Sequence, residues 1–240
     1  APAVGNGLSR GADATVIAVT GELTLGHVDL LTHINAVPPA FGHACRHGPS
    51  CRVVVMKPRM DLSRGGTDNR RCTMDDSPLS PMMNPASVAV FGASDSPDSV
   101  GGRVFSNIRR TGYEGELYPI NPKYDMVDGV PCLPDLSEIG KPVDLAVIAT
   151  PAETVPGIIR ECGYAGTTNA IVLSAGFGEG GGPGAENARK LTDAARRAGV
   201  RIMGPNCVGL VRPWIGLDAT FLSSQTPKGR LALVSQSGAL

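Results

Sequence analysis

Residues Ser87–Arg103 read SVAVFGASDSPDSVGGR, and this stretch decides the fold. A short apolar run (Val88, Val90, Phe91) ends at Gly92, and a helical period opens near Ser99. That succession is what the first strand–turn–helix unit of a nucleotide-binding sheet needs. Gly92 allows a tight turn, and Gly101 and Gly102 allow a ligand or the sheet to approach the helix closely. Amides at a helix start lack intrahelical partners and carry partial positive charge, so this opening suits an anion.

The spacing departs from the dinucleotide fingerprint. After Gly92 the next glycines are Gly101 and Gly102, too far away for G-x-G-x-x-G. An NAD site also calls for an acidic residue after the second strand, to hold the ribose diol. Here the second strand is expected at Glu116–Ile120 and is followed by Asn121-Pro122-Lys123. A lysine there attracts a phosphorylated ribose or another polyanion. Taken alone, Lys123 is equally well an ordinary solvated loop residue.

Working outward, strand and helix signals alternate as in an α/β, Rossmann-like, doubly wound and mainly parallel sheet. The first helix places Val100, Val104 and Ile108 on one face and ends near Gly112. A turn-rich crossover through Asp128-Gly129 and Pro131 leads to a short helical turn after Asp135. The third strand is expected at Val143–Ala149, an apolar run buried on both faces. Thr150-Pro151-Ala152-Glu153 reads as a helix start, with Thr150 as cap and Glu153 returning a bond. The apolar stripe of that helix is Val155, Ile158, Ile159 and Cys162. The fourth strand is expected at Ala170–Ser174, followed by Ala175-Gly176-Phe177-Gly178. A helix from about Ala185 to Ala198 then buries Ala188, Leu191 and Ala195 and stops at Gly199. A fifth strand (Arg201–Met203) leads into Gly204-Pro205-Asn206-Cys207. A sixth, Leu231–Val234, ends in Ser235-Gln236-Ser237-Gly238. All connections are then of the strand–helix–strand type, which are right-handed almost without exception. They bring Gly92–Ser94, Asn121–Lys123, Thr150–Pro151, Ser174–Gly176 and Asn206 to one edge of the sheet, where ligands bind in open parallel sheets.

The 240 residues suffice for one α/β domain plus an extension. With 22 basic and 22 acidic side chains, nothing in the charge points to nucleic acid or a membrane surface. No apolar run is long enough to span a bilayer, and no signal peptide is read at the N-terminus. The six cysteines are scattered, which suits a reducing cytoplasm. Residues 1–56 are expected to form a small α/β-like or irregular segment, with strands at Thr15–Val19 and Arg52–Met56 and a helix at Leu25–Val37. Residues 57–85 are polar and rich in breakers and read as a linker. Met82-Met83 is read as a start or linker feature. Val16–Leu25 with Arg52–Met56 is similar to a regulatory domain of the STAS type, without that domain's serine-containing turn. His43, Cys45, His47 and Cys51 are of metal-ligand type. Zinc sites usually use separated pairs, so solvated loop residues are the preferred reading. Cys207 has no later histidine to activate it and is read as a small buried apolar residue rather than a nucleophile.

SVAVFGAS…VGG, YPINPK, GVPCLPDL, VDLAVIATP, AIVLSAGFGE, RIMGPNCVGL and ALVSQSGAL occur in this order from Ser87 to Leu240. In order and spacing they resemble the CoA-binding domain of the NDP-forming (ADP-forming) acyl-CoA synthetases, relatives of the succinyl-CoA synthetase α subunit. Seven weak motifs in register make a strong likeness. The family reaction it implies converts acid, CoA and NTP to acyl-CoA, NDP and phosphate, through an acyl phosphate and a phosphohistidine. By this resemblance Gly92, Ala93 and Ser94 would wrap the nucleotide phosphates of coenzyme A, and Lys123 would meet one of them. Thr150 and Pro151 would line the adenosine or pantetheine path. Ser174, Ala175 and Gly176 would hold the pantetheine, and Asn206 would stand near the thiol. Ser235 and Ser237 would open the phosphate loop that faces the phosphohistidine. Without the resemblance, Ser174, Asn206, Ser235 and Ser237 read as turn or capping residues.

The resemblance implies a CoA-binding domain over 86–230 and, at 231–240, the first strand of a truncated second ligase domain. No histidine follows His47, so the phosphohistidine and the ATP-grasp domain that uses ATP and ADP would lie elsewhere. This piece is therefore expected to bind CoA without making acyl-CoA. Its expected partners are CoA and the remaining ligase domains or subunits, in an oligomer. Two other readings stay open: a CoA-sensing module fused to an acetyltransferase-type protein, and an NADP-binding domain.

Overall fold

The computed structural model describes residues 17–19, 53–56, 78–178, 182–229 and 232–235. Its centre is the opening stretch. Strand β3 (Ser87–Phe91) is buried along its whole length. It pairs in parallel with β4 (Glu116–Ile120) on one side and β7 (Leu145–Ile148) on the other. Beyond β7 lie β8 (Asn169–Val172) and β9 (Arg201–Met203), again parallel. The order β4-β3-β7-β8-β9 reverses direction at β3, so the switch point falls between β3 and β7.

The period-2 alternation of β3 divides the core. Val88 and Val90 face one layer, with helix α2 (Val100–Arg110), Leu145, Val147 and Ile171. Ala89 and Phe91 face the other, with helices α3 (Val155–Tyr164) and α4 (Pro183–Ala198). Both faces of the parallel strands are thus covered, which is why their sequences run apolar instead of alternating. The amino rim is held by polar side chains. Asp144 Oδ2 accepts from the Ala86 and Ser87 amides at 2.7 and 3.2 Å, and Lys141 pairs with Glu116 at 2.6 Å.

The sixth expected strand does not extend this sheet. β12 (Ala232–Ser235) lies in a second, mixed sheet of order β11-β10-β1-β12-β2. Its neighbours there are β1 (Ile17–Val19), parallel, and β2 (Val53–Met56), antiparallel. The two N-terminal strands fall where they are expected, but β12 separates them. β10 (Gly209–Arg212) and β11 (Leu217–Thr220) form an antiparallel hairpin, so not every connection is a crossover. A second hairpin joins β5 (Met126–Val127) to β6 (Val130–Pro131). Asp128 and Gly129 form its turn with φ of 48° and 73°, the mirror-image turn that Asp-Gly favours.

Four local expectations change. The linker does not extend unbroken to Pro85: α1 (Ser80–Met83) is packed, with Met82 only 1% exposed in the core. Val100 lies on the exposed side of α2, whereas Val104 and Ile108 are fully buried. The box at Thr150 does not form, and α3 begins at Val155. Thr154 Oγ1 instead donates to Thr150 Oγ1 at 2.8 Å and to the Pro151 carbonyl at 2.7 Å, closing a separate turn. In α4 the buried alanine of the last turns is Ala194, and Gly199 ends the helix in the left-handed region. The proposed helix at 25–37, the cysteine–histidine group and most of residues 57–85 lie outside the described residues. No helix among the described residues is long and apolar enough to cross a membrane.

Candidate functional site at the carboxyl rim of the parallel sheet

Because the five strands are parallel, the loops after them share one rim, and backbone and side-chain bonds stitch these loops in strand order. The Gly92 amide donates to the Ile120 carbonyl at 2.9 Å, and Asn121 Nδ2 donates to the Ala93 carbonyl at 2.8 Å. The Ala149 amide donates to the Phe91 carbonyl at 3.0 Å. Ser174 Oγ donates to the Thr150 carbonyl at 2.5 Å, and the Asn206 amide donates to the Ser174 carbonyl at 3.0 Å. The result is a continuous row of turns from Lys123 to Asn206.

Gly92 has φ of +85°, and a Cβ there would stand 2.7 Å from the Ala149 carbonyl oxygen. The turn after β3 is thus pressed against the end of β7 at the switch point. A Cβ on Gly101 would stand 1.9 Å from the Gly92 carbonyl oxygen, so the first turn of α2 rests directly on the glycine turn. Ser99 caps α2 by accepting from the Gly102 amide at 3.0 Å. Ser94 is nearly buried, and its hydroxyl serves the turn itself: it meets Ser99 Oγ at 2.6 Å and accepts from the Ser96 amide at 3.3 Å.

Ala93 is buried, whereas Lys123 is exposed in the turn after β4. Asn121 Oδ1 accepts from the Lys123 amide at 3.1 Å and fixes the start of that turn. Thr150 and Ser174 are half-buried, and Pro151, Ala175, Gly176 and Asn206 are exposed on the rim. Asn206 itself is left-handed, with φ of +52°. Ten of the expected site residues, Gly92, Ala93, Ser94, Lys123, Thr150, Pro151, Ser174, Ala175, Gly176 and Asn206, therefore meet on this edge. Ser235 closes β12 in the second sheet instead of following a strand of the parallel one. Ser237 lies outside the described residues.

The sequence reading did not single out Asn121, although it links the first two loops through Ala93. Its signal was present: an Asn-Pro step directly after a strand initiates a turn. Cys207 is buried with its thiol donating to the Val172 carbonyl at 3.3 Å, and burial pushes that thiol up to about 12. A thiol so protonated is a packing group, not a nucleophile. Among the described residues no group of histidine, cysteine and carboxylate side chains could hold a metal ion.

The rim can do three things chemically. It offers backbone amides at tight turns, it carries the exposed Lys123 ammonium beside them, and its glycines at 92 and 101 pack the turns closely together.

Comparison with known proteins bears on the family and the fold. A family model described as a CoA binding domain matches residues 86–213. An ADP-forming acetate–CoA ligase I of Archaeoglobus fulgidus is 44% identical over 155 residues, 65% of this chain and 22% of that protein. The α subunit of an ADP-forming acetate–CoA ligase I of Pyrococcus furiosus is 41% identical over 166 residues, 68% of this chain and 36% of its own length. The chain thus spans between about a fifth and about a third of these relatives. Among solved structures, acetyl-coenzyme A synthetase 1 of Ca. Korarchaeum cryptofilum, in complex with phosphate and ADP, superposes with a TM-score of 0.57 and 38% identity. That match covers 60% of this chain and 30% of that one. A Pyrococcus horikoshii OT3 structure gives a TM-score of 0.59 and 36% identity over 63% of this chain and 34% of its own. With more than half of its residues matched by that one model, the chain belongs to the CoA-binding domain family.

Proposed function

We propose that the carboxyl rim holds coenzyme A for an ADP-forming acid–CoA ligase of which this chain is the CoA-binding portion. The observation that carries the reading is the stitched row of turns running from Lys123, past Gly92 and Thr150, to Asn206. The turn at Gly92–Ser94 and the start of α2 receive the nucleotide phosphates through backbone amides. The Lys123 ammonium meets the remaining phosphate as a point charge. Thr150 and Pro151 border the path of the chain, Ser174–Gly176 flank the pantetheine, and Asn206 stands toward the thiol end. The glycines at 92 and 176, both at positive φ, let these turns close against Ala149 and Ala152.

Bound coenzyme A supplies a thiol that accepts an acyl group. This chain's residues bind and orient it. In this reading the phosphoryl relay and the use of ATP and ADP belong to other domains or a partner subunit, in keeping with the share of its relatives that the chain spans. The α-subunit relative supports such a division of labour. Isothermal titration of the chain with CoA, dephospho-CoA and NAD tests the reading. Saturable CoA binding that weakens with dephospho-CoA is expected; NAD binding equal to or tighter than CoA would overturn it.

A further inference from the structure

A cavity of about 360 Å³ opens beside the Ser94–Pro97 turn that follows β3 and runs along α2. One wall is the Ser94–Pro97 turn, one is the α2 face carrying Arg103, Ser106 and Arg110, and one is the segment Phe221–Ser223. Its size is that of a small-molecule site.

Two arginines and two aspartates line it, so its formal charges balance and the donors left free decide what it can hold. Asp95 and Asp128 line it, but both are engaged. Asp95 Oδ1 accepts from the Asp128 amide at 2.5 Å, and Asp128 Oδ2 pairs with Arg109, which does not line the cavity, at 2.6 Å. The two lining guanidiniums are held mainly by neutral groups. Arg103 Nε donates to the Pro97 carbonyl at 2.9 Å, with only a loose 3.7 Å contact to Asp98, a carboxylate 93% exposed. Arg110 Nη2 donates to the Asn107 side-chain carbonyl at 2.9 Å. Arg110 also acts at longer range on Asp218, whose carboxyl is buried within β11. Each guanidinium has five donors, so most remain for a ligand. Phe221 and Leu222 add an apolar wall, with Phe105 buried in the core behind it.

We propose that this cavity is a second ligand site, taking a small phosphate or carboxylate anion that carries an apolar or aromatic body. Arg103 and Arg110 bind the anion by charge-assisted, forked hydrogen bonds. The phenyl-sized body lies on the Phe221–Leu222 wall. The site does not depend on the rim binding coenzyme A, but it shares the Ser94–Pro97 turn with that rim, so an occupant can bear on the turn. The anion could be a separate metabolite or a phosphate of coenzyme A itself, and competition separates these sources.

The test is titration of the full chain with phenyl phosphate, with and without saturating CoA. Arg110→Gln and Ser223→Trp are each checked for an unchanged melting transition. Expected is saturable binding that weakens at least about tenfold in either variant and is unaffected by Lys123→Ala. Phenyl phosphate binding that persists beside CoA assigns the site to a separate anion; displacement by CoA assigns it to a phosphate of the coenzyme. Absence of phenyl phosphate binding to the unaltered chain, or its loss in Lys123→Ala alone, overturns the proposal. Should Arg110→Gln unfold the chain, Ser223→Trp and Arg103→Gln carry the same comparison. Failure of CoA itself to bind, with phenyl phosphate binding retained, overturns the rim reading and leaves this one intact.

Discussion

Gly101 shows how tightly one residue can fix a site. A methyl group there would stand 1.9 Å from the Gly92 carbonyl oxygen, backbone that cannot swing away. Gly101→Ala should therefore destabilise the chain by about 3 kcal/mol, read as a lowered urea midpoint, and weaken CoA binding with it. An unchanged midpoint would show that α2 does not rest on the glycine turn. The thiols make a second test at this scale. Burial pushes Cys162 and Cys207 up to about 12. Their folded values lie above an unfolded thiol near 8.5, so folding favours the protonated form. That contribution is full below about pH 8.5 and is lost as pH climbs toward 12, so stability should fall across this window, and less steeply in Cys207→Ala. At pH 8 both thiols should resist alkylation in the native chain; rapid site-specific labelling of either would contradict their burial. The turn at Gly92 was legible because a glycine directly after an apolar run has few other uses. Thr150 misled because Thr-Pro-x-Glu satisfies the capping rule, yet the Thr154 hydroxyl closes a turn first and Pro156 suits a start at Val155.

Among elements, α2 binds the two sheets together. Asn107, buried on that helix, donates through Nδ2 to the Thr220 carbonyl at 2.8 Å and to the Leu222 carbonyl at 2.9 Å. Asn107→Ala should lose about 2 kcal/mol, because two carbonyls lose a donor in a largely dry setting, and denaturant unfolding checks it. A loss under a few tenths of a kcal/mol would mean that water replaces the amide. The five parallel strands were readable because each is a short apolar run between glycine-rich breaks. The hairpin β10–β11 was not, because Pro213-Trp214-Ile215-Gly216 between the strands reads as a loop. The structure sets its register, with Val211 opposite Asp218. The place of β12 was hidden for another reason. Its neighbours are strands some 200 residues earlier in the chain, and an apolar run carries no record of its partners.

For the molecule as a whole, topology is what joins residues far apart in sequence. Parallel pairing in the order β4-β3-β7-β8-β9 sends five loops to one rim and leaves the other to structural pairs such as Lys141–Glu116. The edge was therefore legible once the strands were, whereas the cavity beside α2 was not. It needs Arg103 and Arg110, seven residues apart on a helix, to meet a segment more than 110 residues later. The most direct measurement of the coenzyme reading is amide hydrogen exchange with and without saturating CoA. Protection should rise at 92–94, Asn121, Lys123, Thr150, 174–176 and 206 and stay unchanged at the opposite rim, at Ser87, Asp144 and Thr168. Protection confined to the opposite rim, or absent from the Gly92 turn while CoA is bound, would contradict it.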